Sequence, residues 1–292
     1  MANLKEIKNR ITSISSTMQI TSAMKMVSAA KLKRAQDAIT QMRPYSEKLQ
    51  EILGNLSATL DLSENAYADQ REVKTVYIVG VTSNRGLCGG FNNNITKKAN
   101  AIIAEQYAGK NVKVIAIGKK FNDAFKRSEM NFRPEGLGGP EEMFNDLTFH
   151  RSAVTAQFLM DEFKAGKVDK IVVVYNKFKN AAVQEVMAEQ FLPIEINQGE
   201  EGSSTGDYIF EPSKQEIVED LIPKSLKTQL YKALVDSNAS EHGARMTAMH
   251  KATDNAGDMK RTLTLQYNKA RQAAITNEIL EIVGGAEALK GN

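Results

Sequence analysis

From Pro223 to Leu289 the chain has no further proline, and apolar or small side chains recur at steps of three and four: Leu226, Leu230, Ala233, Ser237, Ser240 and Ala244, then Met249, Ala252, Ala256, Met259 and Leu263. That spacing predicts a helix with one buried stripe. At about 1.5 Å per residue it would be roughly 100 Å long, far longer than the roughly 11-residue mean of globular helices. An ordinary domain cannot enclose such a helix. It needs a partner along its length.

The other end of the chain offers one. Leu4, Ile7, Ile11, Ile14, Met18 and Thr21 form a heptad seam, which shifts by a four-residue stutter and resumes at Leu32, Ala35, Ile39 and Met42, continuing through Leu49, Leu53, Leu56 and Leu60. Two single-stripe helices at opposite ends of one chain predict an antiparallel coiled coil, with everything between them inserted at one end of the rod. In an antiparallel pair the partner numbers add to a constant. A sum of 270 sets the six N-terminal seam residues opposite Gln266, Leu263, Met259, Ala256, Ala252 and Met249. A sum of 277 scores equally, whereas 267 brings Lys260 onto the seam, and 263 brings Arg245 and His242. The first helix should end near 57–60 and the second restart near Ser213, which favours 270. The segment from Ala270 to Leu289 is then left without an N-terminal partner, and its Ile275, Ile279, Ile282 and Val283 need burial from outside the chain.

Between the helices the period changes. Runs at 73–81, 112–118 and 170–175 read as strands, 183–192 as a fourth and antiparallel edge strand, and 91–107, 119–127 and 141–164 as helices. Strands alternating with helices imply a parallel-type sheet covered on both faces. The expected fold class is therefore α/β plus a long antiparallel coiled coil, with a central Rossmann-like α/β domain between the terminal helices. Its expected divisions are 1–60 (N-terminal helix, kinked or interrupted at Pro44), 61–72 (linker), 73–210 (α/β foot) and 211–292 (C-terminal helix, starting near Pro212). Residues 197–207 read as a mobile surface loop.

Composition narrows the function. The net charge of +3 is uneven: residues 1–60 hold nine basic and four acidic side chains, residues 211–292 eleven of each. Lys25, Lys31, Lys33 and Arg34 cluster on the first helix, as a solvated face or as the counterpart of an acidic partner. Nucleic acid is not expected, since aromatic interleaving and a recognised module are missing. No apolar run is long enough to cross a bilayer, and MANLKEIKNR lacks the core of a signal peptide, so a cytosolic chain is expected. Cys88 is the single cysteine, which rules out an intrachain disulfide.

No catalytic constellation emerges. Arg85–Asn92 (RGLCGGFN) follows a strand and opens a helix, where a phosphate-binding turn sits. It matches neither G-x-G-x-x-G nor the P-loop pattern, and reads better as a tight crossover. Cys88 lacks an evident base, and His242 and His250 lack a third metal ligand. Glu141 and Glu142 read as helix-start charges. Six methionines (Met18, Met24, Met26, Met246, Met249 and Met259) fall on the two long helices, as core filler or as an adaptable outer surface. Ala239, Ser240, Gly243, Ala244 and Ala248 would let helices approach closely. The sum describes a mechanical or scaffolding part.

ITSAMKMVSAAKLKRAQ (20–36), RPY (43–45), SNRGLCGGFN (83–92), NKF (176–178), SEHGARMTAMHKATDNA (240–256) and YNKARQAAITNEILEIVGGA (267–286) occur in that order. Through them the chain resembles the gamma-subunit family of F-type ATP synthases over essentially its whole length. The resemblance implies a non-catalytic rotor shaft inside a ring of three alpha and three beta subunits, its foot on the epsilon subunit and the membrane c ring, at the cytoplasmic face of the cell membrane. It implies no cofactor, no catalytic or metal residue and no direct membrane insertion. It implies contact with beta at Met24, Lys25, Lys31, Lys33, Arg34, Arg245, Arg271 and Gln272, with Arg245 near Met24. It places Arg85, Gly86, Leu87, Cys88, Gly89, Gly90, Phe91 and Asn92 in the foot, towards epsilon and the rotor ring. Two other readings remain: a nucleotide-dependent enzyme using the α/β domain, and a coiled-coil scaffold that does not rotate.

Overall fold

The computed structural model describes residues 4–57, 66–194 and 214–290. The side chains of Leu53 and Leu56, residues 58–65 with Leu60, the 197–207 loop and Pro212 lie outside the described residues. The order is α1 (Leu4–Ser57), β1 (Thr75–Val81), α2 (Phe91–Gln106), β2 (Asn111–Ile117), α3 (Lys119–Phe125), α4 (Phe149–Lys164), β3 (Lys170–Phe178), β4 (Gln184–Leu192) and α5 (Lys214–Lys290). Both terminal helices run through their prolines, Pro44 and Pro223. The expected interruption at Pro44 does not occur. The proline removes one donor at an exposed position, while Ile39, Ser46 and Leu49 bury the helix on either side.

By packing, the chain forms two compact units, residues 28–245 and residues 1–27 with 246–292. The first holds a four-stranded sheet in the order β2-β1-β3-β4. β1 pairs in parallel with β2 and β3, and β4 is antiparallel at the edge. The β1 and β3 runs are almost continuously apolar because alternate residues enter two different cores. On one face Tyr77, Val79, Ile171 and Val173 meet α4 (Leu159, Met160, Phe163) and α5 (Ile222, Leu226, Leu230, Leu234). On the other Ile78, Val114, Val172 and Val174 meet α2 (Ile95, Ala99, Ile102) and α3 (Phe121, Phe125).

The helix expected over 141–164 begins only at Phe149. Thr148 caps it, accepting from the Arg151 N–H at 3.5 Å, and 142–144 is a separate 3-10 turn. Glu142 is therefore not a charge on that helix's first turn; its carboxylate accepts the Gly139 N–H at 2.8 Å.

In the same unit α5 is enclosed on more than one face. The expected stripe is buried at Leu226, Leu230, Ala233, Ser237 and Ser240, and so are Leu234, Val235, Asp236, Ala239 and Glu241. The small residues serve the sheet: a Cβ on Gly243 would lie 3.2 Å from Ala181, and Ser240 Oγ donates to the Asn176 carbonyl at 3.0 Å. On α1 the four-residue stutter is bridged by Ser28, only 3 % exposed, which joins Leu32, Ala35 and Ile39 in one buried line. The sequence pattern passed over it as polar.

The second unit is the pairing of the two chain ends, antiparallel as expected but in a different register. Thr253 Oγ1 donates to Thr21 Oγ1 at 2.8 Å and Lys260 Nζ to Ser15 Oγ at 3.3 Å. These pairs add to 274 and 275, so 270 is corrected by about one helical turn. Thr21 faces Thr253 rather than Met249, and Ile14 falls opposite Lys260 rather than Ala256. Met259, expected on the seam, is 56 % exposed. The pattern failed at Lys260, whose charge argued against a seam position. Lys260 is half-buried and its ammonium reaches a hydroxyl across the pair, as a long side chain with an aliphatic stem allows. In a Cys88→Ala background, Thr21→Cys with Thr253→Cys is expected to form a disulfide readily on mild oxidation, and Ile14→Cys with Ala256→Cys is not. Non-reducing electrophoresis reads both, and the reverse pattern would restore the 270 register.

Candidate functional site: the glycine-rich turn and the paired chain ends

β1 delivers the chain to Thr82 and Ser83, both fully buried. The Thr82 N–H donates to the Ile117 carbonyl at 2.8 Å, and its hydroxyl accepts from the Phe121 N–H at 2.8 Å, so the turn is tied to the end of β2 before it departs. Asn92, on the first turn of α2, closes it from the other side. Its Oδ1 accepts the Ser83 N–H at 2.9 Å and its Nδ2 donates to Cys88 Sγ at 3.1 Å. Between these ties Leu87 is held at φ 62° with 64 % of its surface exposed. The left-handed region is uncommon for a residue other than glycine, so the surroundings impose it.

Arg245 on α5 meets the turn from the long helix. Its guanidinium donates to the carbonyls of Arg85 and Gly86 at 3.3 Å and to Glu241 Oε1 at 2.6 Å, with both side chains about nine-tenths buried. Burial pushes the Glu241 carboxyl up, and Arg245 opposes it. Burial, Arg245 and Lys31 push His242 down to about 4, so it is neutral and a poor base at neutral pH. Cys88 is 1 % exposed and burial raises its thiol, the opposite of an activated nucleophile.

This geometry removes the phosphate-binding alternative. In an open α/β sheet a ligand enters at the carboxyl ends of the strands where the order reverses, here between β1 and β3. That crevice is filled from within. Asn176 Nδ2 donates to the Phe91 carbonyl at 3.3 Å, Ser240 packs on Asn176, and Arg245 covers the turn. The turn offers carbonyls to a cation rather than N–H groups to an anion.

The sequence profile of the ATP synthase family, described as "ATP synthase", matches residues 3–289. The chain belongs to the ATP synthase gamma-chain family. It is 64 % identical over 292 residues to an ATP synthase gamma chain of Flavobacterium psychrophilum and 54 % identical over 299 residues to one of Cytophaga hutchinsonii, covering all or nearly all of each. In fold it is similar to a chain of the Euglena gracilis mitochondrial ATP synthase in an OSCP/F1/c-ring structure, with a TM-score of 0.66, 22 % identity, and coverage of 98 % of this chain and 94 % of that one.

Two groups that the gamma-chain resemblance assigns to different partners are one cluster here: Arg245 sits on the 85–86 turn. Arg245, only 8 % exposed, is therefore a positioning residue. Within the stretch expected in the foot, Cys88 and Phe91 are buried by the chain itself, whereas Arg85, Gly86, Leu87, Gly89 and Gly90 are exposed and Asn92 is half-buried. Lys31 and Arg34 are exposed, and Lys33 is exposed with an ion pair to Asp37 at 2.8 Å. Met24 and Lys25, in the other unit, are half-buried, and Arg271 and Gln272 there are exposed. In that unit Ile20, Met26, Val27, Met259 and Leu265 are 56–65 % exposed, and Ile275, Ile279, Leu280, Ile282 and Val283 are 47–71 % exposed. Apolar surface on this scale marks a partner. The buried Glu241 and Asp236 were missed by sequence reasoning, although Glu241 and Arg245 stand at the four-residue spacing of a helical ion pair.

Removing one partner of a buried ion pair strands the other charge, at about 3–5 kcal/mol. Arg245→Ala should lower the stability of the chain by about 3 kcal/mol or more in urea titration, and adding Glu241→Gln should restore part of that. No recovery in the double variant would mean that the pair is not the latch.

Proposed function

We infer that this chain is the central rotor shaft of an F-type ATP synthase, coupling proton flow through the membrane sector to ATP synthesis and hydrolysis at beta subunits while carrying no catalytic site itself. One observation carries the reading. The whole chain matches the gamma family, and the paired ends leave an apolar helical segment, 275–283, that nothing in its unit covers. A sleeve of three alpha and three beta subunits supplies that cover. Each of those large side chains contributes about 1.5–3 kcal/mol when removed from water.

The contact surface for beta follows from exposure and charge. Lys31 and Arg85 both bear on the Glu241 carboxyl, so they share one region of the sheet-bearing unit. Lys31, Lys33, Arg34 and Arg85, with Leu87 as an apolar point among them, form a basic surface suited to an acidic moving lever of beta. Met24, Lys25, Arg271 and Gln272 act on beta from the paired ends. Arg245 acts through the turn it holds. Epsilon and the c ring take the sheet-bearing unit, and the assembly sits at the cytoplasmic face of the cell membrane without insertion. No helix among the described residues is long and apolar enough to cross one.

Exposed charges act through solvent over about 8–10 Å at ordinary ionic strength. In the assembled enzyme Lys31→Glu with Arg34→Glu should lower the ATPase rate several-fold at low salt and much less at high salt. An unchanged rate at both would make these residues a solvated face and remove the proposed contact.

A further inference from the structure

Asp236 lies in the middle of the stretch of α5 that docks on the β3–β4 hairpin. It is 3 % exposed, and its Oδ1 has no hydrogen-bond partner among the described residues; neither has the buried Oγ of Ser237 beside it. The helix is fastened on either side of it. Gln229 Nε2 donates to the Gln190 carbonyl at 3.3 Å, Ser240 Oγ donates to the Asn176 carbonyl at 3.0 Å, and Gly243 lies against Ala181. Ionised, the Oδ1 in such a seat has lost water without gaining a donor, which is costly. A protonated one is neutral and itself a donor.

The described groups that face it come from four elements. Arg43 of α1, Lys232 of α5 and Lys177 of β3 favour its ionised form, and Glu189 of β4 opposes it. None of these cations makes an ion pair with Asp236. Glu189 is also the acceptor of the Tyr175 hydroxyl at 2.6 Å, so Tyr175 is not free to donate to Asp236 in its place.

We propose that Asp236 is a buried proton-binding site that sets how tightly α5 is docked on the β3–β4 hairpin, seating the helix when protonated and loosening it when ionised. The proton comes from solvent and adds to the carboxylate, and no other bond changes. Burial, reinforced by Glu189, pushes this carboxyl up to about 6 against the three cations. An acid whose folded pKa lies above its unfolded value, about 3.9, binds its proton more tightly when folded. Its contribution is therefore full below about pH 4, is lost as pH rises to about 6, and changes no further above that.

The test compares the full-length chain with its Asp236→Asn variant, a neutral isostere. In urea titrations from pH 4 to pH 8, the folding equilibrium constant of the variant relative to the parent should rise by up to about 100-fold between pH 4 and pH 6.5 and then level off, since about two pKa units separate the folded and unfolded acids. A uniform offset from the amide's own hydrogen bonds would shift both ends alike and leave the slope as the readout. A flat difference across that range overturns the proposal. Hydrogen exchange in the parent, corrected for intrinsic rates, should show protection of 184–192 and 226–243 falling as pH rises from about 4 to about 6 and levelling off above that. Constant protection across about pH 4–6 overturns the latch even if the variant fails to fold.

Discussion

A helix with one apolar stripe cannot bury that stripe by itself, and this chain has two such helices at its ends. Their antiparallel pairing is the contact on which the arrangement of residues 4–27 and 246–290 rests. The seam is thin. Thr21 meets Thr253 through hydroxyls and Lys260 reaches Ser15, while Ile7, Met249 and Ala256 supply the buried apolar surface. Because α5 outruns the start of α1, the pairing strands Ile275 to Val283 in water, and that stranded surface calls for a sleeve. A seam with few buried large side chains also leaves much of each helix free for other surfaces.

The unit formed by 28–245 solves a different problem with the same helices. There α5 is wrapped by the sheet, α4 and α1, and it carries buried polar groups that a coiled coil would not hold. Arg245 and Glu241 fix the turn after β1, Ser240 and Gly243 fit the β3–β4 hairpin, and Asp236 sits between these fastenings. The Rossmann-like crevice is closed by these contacts. The sheet therefore serves as a mount for the helix rather than as a ligand-binding site, consistent with a gamma chain whose chemistry belongs to other subunits.

Strand and helix identities were legible because each depends on local periodicity. β1 and β3 are apolar on both faces since both faces are covered, whereas the antiparallel edge strand β4 stays half-buried or exposed until Phe191 and Leu192. What stayed hidden depended on distant partners. Ser28 and Lys260 violate the apolar pattern yet sit on their seams, since a small hydroxyl fits a close contact and a long stem snorkels. Glu141 and Glu142 looked like helix-start charges because the 3-10 turn and the Thr148 cap depend on the turns around them. The turn 85–92 was recognisable as a motif, but its clamp by Arg245 spans about 160 residues and leaves no periodic trace.

A rotor shaft turns relative to the subunits around it. The most direct measurement attaches a visible probe to the exposed Lys110 position as Lys110→Cys, in a Cys88→Ala background, within the assembled and surface-immobilised complex. Adding ATP should drive unidirectional rotation of the probe at a rate that follows ATP turnover. ATP turnover with a stationary probe would rule out a rotor shaft and leave the chain a static scaffold.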